Sequence, residues 1–164
     1  MKFITVCISL LAVFSTALAA FQHDANAPDG VYSHFIDADG VAQNVYLGPL
    51  KTRSRRRFHL AREDQGVQCQ TDVPMNSDDA DAADNVLAEI FGDGMLFFKS
   101  ISAKSGSAVA YGCDYGKGQS MNHDQFLDYM ADIATECGTG SAGFFRDVGS
   151  KSSYGRTNAG ISFC

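Results

Sequence analysis

The chain has 164 residues, the length of one ordinary domain, so a second full-sized domain is not expected. Lys and Arg number 13 and Asp and Glu 19, a net charge of −6, which argues against nucleic acid or an anionic membrane as partner because both need a basic face. Hydrophobic content of 45% with 20% charged residues supports a packed core and excludes a disordered chain.

Residues 1–19 read as a secretory signal peptide. Lys2 supplies the positive start, Phe3 to Phe14 form an almost unbroken apolar run, and Ala17, Ala19 and Ala20 supply small residues for cleavage after Ala19. The run is shorter than the roughly 20 residues that a spanning helix needs. No later stretch is apolar enough for an integral membrane segment, so a soluble, secreted, extracellular monomer is expected.

Cleavage removes Cys7 and leaves Cys69, Cys113, Cys137 and Cys164. An even count in an exported chain reads as two disulfides. Zinc fits poorly, because no C-x-x-C or C-x-x-H pair occurs. Cys164, the last residue, is expected to tie down an end that would otherwise fray.

Residues 20–57 form a cysteine-free leader with five positive and four negative side chains, a net of +1. Residues 58–164 carry seven positives and fifteen negatives, a net of −8. Between them lies a polybasic hinge at 51–57, ending in Arg55, Arg56 and Arg57. The hinge has three readings: a solvated loop, a binding patch for an anionic partner, or the cut site of a dibasic-directed secretory protease. The third would make 20–57 a pro-segment and 58–164 the mature disulfide-bonded domain.

The leader holds two β-type runs, Gly30–Ile36 and Val41–Leu47, around the turn signal Asp37–Gly40. Asp37 and Asp39 suggest a calcium loop, but Val41, Ala42 and Gly48 stand where an EF-hand needs a ligand, Gly and Glu. A hairpin is the expectation.

In the acidic part, Gly66–Gln70 reads as a strand. Ser77 is a cap candidate for a helix ending at Phe91, with Ala83, Val86, Leu87, Ile90 and Phe91 on one face and Gly92 as the stop. Asp78, Asp79 and Asp81 fit helix-start electrostatics better than a metal site. Met95–Ile101 and Ser107–Tyr115 read as a second hairpin about Lys104–Gly106. Asn122 and Gln125 cap a second helix with Phe126, Tyr129, Met130, Ile133, Ala134 and Cys137 on its apolar face. Ala142–Val148 and Ala159–Cys164 read as closing strands. The stretches Gly116–Ser120 and Ser150–Arg156 read as exposed loops, candidates for binding.

The expected fold is α+β, with both helices on one face of an antiparallel sheet, a split βαβ sandwich. A helix of about 15 residues spans roughly 22 Å. It would separate Cys113 from Cys137 beyond disulfide reach. Two pairings remain, and because the split topology can bring Cys69 and Cys137 to the same end of the sandwich, the expected bonds are Cys69–Cys137 and Cys113–Cys164.

Motif chemistry is sparse. Neither G-x-S-x-G, H-E-x-x-H nor a P-loop occurs. The histidines are His23, His34, His59 and His123; joining His123 to Arg146 and Arg156 as a nuclease site has no spacing to support it. No catalytic, cofactor-binding or metal residue is assigned, and the reading favours binding over catalysis.

The stretches Val109–Tyr115, Glu136–Gly138, Ala142–Gly143, Tyr154–Arg156 and Ser162–Cys164, with Asp29–Tyr32 and the Cys69 segment, resemble small secreted cysteine-stabilised proteins of filamentous fungi. More distantly, the layout is similar to smut-fungus killer toxins and necrosis-inducing extracellular effectors. That resemblance implies a disulfide-bonded α/β sandwich acting on host or competitor cells as toxin, virulence effector or antimicrobial protein. The sequence thus leads to a secreted effector acting by binding an unknown target. A small secreted hydrolase of nuclease type and a protease inhibitor stand as alternatives.

Overall fold

The computed structural model describes residues 20–49 and 65–164. The expected signal peptide, the basic residues Arg55, Arg56 and Arg57, and His59 lie outside them.

The described chain is α+β. Its strands are β1 (Gly30–Ile36), β2 (Ala42–Gly48), β3 (Gln65–Pro74), β4 (Met95–Phe97), β5 (Ser100–Ser105), β6 (Ala108–Asp114), β7 (Gln119–Met121), β8 (Ser141–Asp147) and β9 (Ser152–Asn158). The helices are α1 (Ser77–Phe91) and α2 (His123–Cys137). Seven strands form one sheet in the order β2-β1-β5-β6-β9-β8-β3, and β4 pairs with β7 in a small separate ribbon. Every neighbouring pair in the large sheet is antiparallel. It follows that β6 and β8, joined through α2, run parallel with β9 between them.

Both helices begin at an asparagine cap. Asn76, one residue before the expected Ser77, accepts from the backbone N–H of Asp78 and Asp79, and Asn122 accepts from Gln125. The helices share one apolar core with the sheet. Leu87, Phe91, Phe126 and Ile133 meet Ile101, Ala103, Ala110 and Tyr154 there. On this face β5 and β6 supply the small side chains Ala103, Ala108 and Ala110, all fully buried. Ile90, expected on the buried face of α1, is exposed.

The opposite sheet face has its own smaller core. Val109, Tyr111 and Cys113 of β6 are covered by Phe21 and Phe163. The covering segments, 20–29 and 159–164, join through an antiparallel bridge between Phe21 and Phe163. The disulfide Cys113–Cys164 pins the second segment to β6, and Cys69–Cys137 ties β3 to the end of α2. These are the two pairs expected from the sequence.

Several expectations need correction. Ser150–Arg156 is not an exposed loop; most of it is β9, a buried strand in the sheet. Ala159–Cys164 is not a strand beyond the single Phe163 bridge. Met95–Ile101 breaks into β4 and β5 because Lys99 takes a left-handed φ of 65°. The stretch Gly116–Ser120 leads into β7, which pairs with β4.

Arg156 explains how a polar strand can sit inside. Its guanidinium is 1% exposed, lies 3.3 Å from the Asp84 carboxylate of α1 and donates to the carbonyls of Gly138 and Ser141. One side chain thus joins β9, α1 and the loop after α2. Removing one member of a buried ion pair costs about 3–5 kcal/mol. Arg156→Met, which keeps the volume but takes the guanidinium from beside Asp84, is expected to lower the unfolding free energy by about that much in denaturant titration. A loss under about 1 kcal/mol would show that the pair does not hold the central strand.

Candidate functional site

Chemistry-bearing side chains gather most densely on the second sheet face, where β1, β5 and segment 20–29 meet. His23 and His34 each place Nε2 2.7 Å from the hydroxyl of Ser102. His34 Nδ1 lies 2.7 Å from Asn44 Oδ1, and Asn44 Nδ2 donates to the Gln22 carbonyl. The proton directions follow from this order. Asn44 turns an oxygen, which only accepts, towards His34, so His34 carries its proton on Nδ1. Neutral His34 Nε2 then accepts from the Ser102 hydroxyl. Ser102 has no second proton, so His23 Nε2 must donate to it.

This Asn–His–Ser order has the connectivity of a nucleophile beside an oriented base. Its location prevents that use: Ser102 and His34 are 0% exposed and His23 is 1% exposed. Burial pushes the His23 imidazole down to about 4, helped by the positive fields of His34 and Lys104. Burial also lowers His34, against the opposing pull of its Asn44 hydrogen bond. Both rings are therefore neutral at pH 7. The amine of Lys104 lies 3.1 Å from Asp29, which also accepts from the Gly106 N–H.

The other candidate residues are scattered. His123 Nδ1 lies 2.7 Å from Asp124 and Nε2 3.8 Å from Glu89, at the start of α2. Arg156 is committed to Asp84 in the interior, so it does not join His123 in a phosphate site. The Gly116–Gly118 turn is folded around the Asp114 carboxylate, which accepts from both glycine N–H groups. An internal carboxylate already fills the place of a bound anion. The Asp37 turn is closed in the same way. Its carboxylate accepts from Val41, Gln43 and Asp39, which hold it below the usual carboxylate range. Asp79 likewise accepts from the backbone and hydroxyl of Ser107, which hold its carboxyl low and fasten the start of α1 to the β5–β6 turn. Among the described residues no cluster of three or more His, Cys, Asp or Glu is placed to hold a metal. No helix among them is long and apolar enough to cross a membrane.

A concavity of about 170 Å³ opens on the second face between Tyr111, Tyr115, Phe144, Ser153 and Phe163. Ligand pockets for drug-sized molecules run to about 300–1,000 Å³, so it would hold only a fragment. The accessible surface is more distinctive at the β1–β2 hairpin. Phe35, Ile36, Val41, Val45, Tyr46 and Leu47 are each between 41% and 54% exposed. The helices pack on β3, β5, β6, β8 and β9, so β2 lies beyond them as an edge strand. Residues 42–48 carry no charge, although edge strands commonly use charge to discourage pairing.

Comparison with known proteins finds no protein family, no curated protein and no solved structure that matches this chain.

Sequence reasoning placed His34 in a strand but missed Ser102, Asn44 and Lys104. Ser102 lies between Ile101 and Ala103, an alternation that ordinarily means one solvated face. Ser102→Ala would leave both imidazole Nε2 atoms unmet in the interior, at about 1–3 kcal/mol for each. The variant is expected to unfold with a free energy lower by about 2–6 kcal/mol. Unchanged stability in calorimetry would mean that the network is not a structural tie.

Proposed function

We propose that this protein is a secreted effector or toxin-like protein that acts on host or competitor cells by binding a target outside the producing cell. The observation that carries the reading is the uncharged, apolar hairpin edge, presented on a frame with two disulfides. Two crosslinks suit an oxidising compartment and would add about 2–4 kcal/mol each. On this reading the frame is a split βαβ sandwich whose role is to hold the hairpin rigid. Exposed apolar patches on small soluble proteins commonly mark interaction sites. An open strand edge adds the means to pair with an extended segment of a partner. The inward placement of the His–Ser–His chain supports binding over hydrolysis, since a substrate cannot reach Ser102 in the folded protein.

Purified protein infiltrated into plant leaf and applied to competing microbes is expected to cause cell death or growth arrest. Val45→Asp with Leu47→Asp places two charges on the hairpin edge and is expected to abolish that activity while circular dichroism and thermal stability stay unchanged. Full activity of the double variant would reject the hairpin as the binding surface. Inert wild-type protein with measurable nuclease or protease-inhibitor activity would reject the effector reading itself.

A further inference from the structure

The His23–Ser102–His34 chain joins three separate parts of the molecule: segment 20–29, strand β1 and strand β5. None of the four paired cysteines lies in segment 20–29, β1 or β2. Among the described residues that region is held without a crosslink of its own, by strand pairing, packing, these polar contacts, the Asp29 bonds to Lys104 and Gly106, and the bonds of segment 20–29 to Gly160 and Phe163. We propose that the His23–Ser102–His34 chain is an acid-sensitive latch, which keeps segment 20–29 and the β1–β2 hairpin docked at neutral pH and releases them on acidification.

The geometry sets the response. With His34 protonated, Ser102 accepts from its Nε2 and donates to His23 Nε2, whose own proton moves to Nδ1, so a single imidazolium lies in the dry cluster with its bonds kept. With both rings protonated, both Nε2 atoms donate to the one hydroxyl, which then has neither imidazole as acceptor. The second proton also places a second cation in the same dry cluster, with ring centroids of the two histidines 5.2 Å apart. Among the described residues no other packed element offers a compensating carboxylate beside the rings. From β5 comes the cation Lys104; its partner Asp29 already serves Lys104 and Gly106. From β1 comes Tyr32, whose ring lies 4.4 Å from His23, and beyond it Tyr46 of β2. Asn44 of β2 is neutral and faces His34. Segments 20–29 and 159–164 contribute the uncharged rings of Phe21 and Phe163.

The direction follows from linkage. His23 has an ordinary pKa of 6.5 when released and about 4 when docked. The released state therefore binds more protons between those values. The His23 contribution to docking is full above pH 6.5, weakens by up to about tenfold per pH unit as the pH falls, and levels off below about 4. His34, lowered in the same direction, adds to the drop. Across the whole interval His23 alone weakens docking by about two to three orders of magnitude.

Amide hydrogen exchange of the full secreted protein, corrected for intrinsic pH effects, tests this between pH 7 and pH 4. Residues 20–36 are expected to lose protection as the pH falls, while α1, α2 and β8 keep theirs. In His23→Gln with His34→Gln, protection of 20–36 is expected to become independent of pH over that range, which separates the histidines from Asp29 and the other carboxylates. Two results would overturn the latch: wild-type protection of 20–36 that persists to pH 4, or loss that occurs together with the whole fold. Equal acid release in the double variant would also overturn it. Should the double variant fail to fold, NMR titration of the wild-type imidazoles decides. Protonation below the ordinary range, coincident with hairpin release, supports the latch; ordinary titration near 6.5 with the hairpin still docked refutes it.

Discussion

Strands β5, β6 and β9 are buried on both faces, and the rest of the architecture answers that constraint. A sheet with one covered face can leave the other to water, with alternating polar residues. These three strands cannot. One face takes α1 and α2, and the other takes segments 20–29 and 159–164. The second cover is thin, with few apolar residues of its own. It holds because Phe163 stacks on Tyr111, Phe21 bridges Phe163, and Cys164 is bonded to Cys113 in the middle of the sheet.

Double burial also explains where the polar groups went. A strand facing two dry layers must either be apolar throughout or bring partners for its polar side chains. This chain does the second. Arg156 takes Asp84 and two carbonyls on the helix side. Ser102 takes two histidines on the other side. Such networks contribute little net stability compared with apolar packing, yet they fix register, because each partner has one geometry that satisfies it.

Much of the frame was legible because its signals are local. Helical periodicity marks α1 and α2, the Asp37–Gly40 turn marks β1 and β2, and helix length limits the cysteine pairing. What stayed hidden depends on contacts far apart in sequence. β9 contains Ser152, Ser153, Gly155, Arg156 and Thr157, a composition that reads as a solvated loop. Its burial depends on Asp84, 72 residues away. Gly155 reads as a turn residue, but a Cβ there would meet Gly143 O and the Phe144 side chain at 2.6 Å and Tyr111 Oη at 2.7 Å. Its role is close approach between strands. The histidine cluster was half visible: His34 alternates properly in β1, while Ser102 and His23 are 79 residues apart and no local pattern joins them.

The proposed binding edge is β2, one of the two edges of the sheet, where among the described residues the hairpin carries exposed apolar side chains. The polar groups of the interior are buried with their partners. Both properties depend on segments 20–29 and 159–164 staying closed over the sheet. The most direct measurement is residue-resolved hydrogen exchange in Cys113→Ser with Cys164→Ser at neutral pH. Faster exchange at Phe21, Phe163, β1 and β5, with α2, β3 and β8 still protected, is the predicted result. Unchanged protection across the second face would contradict the account.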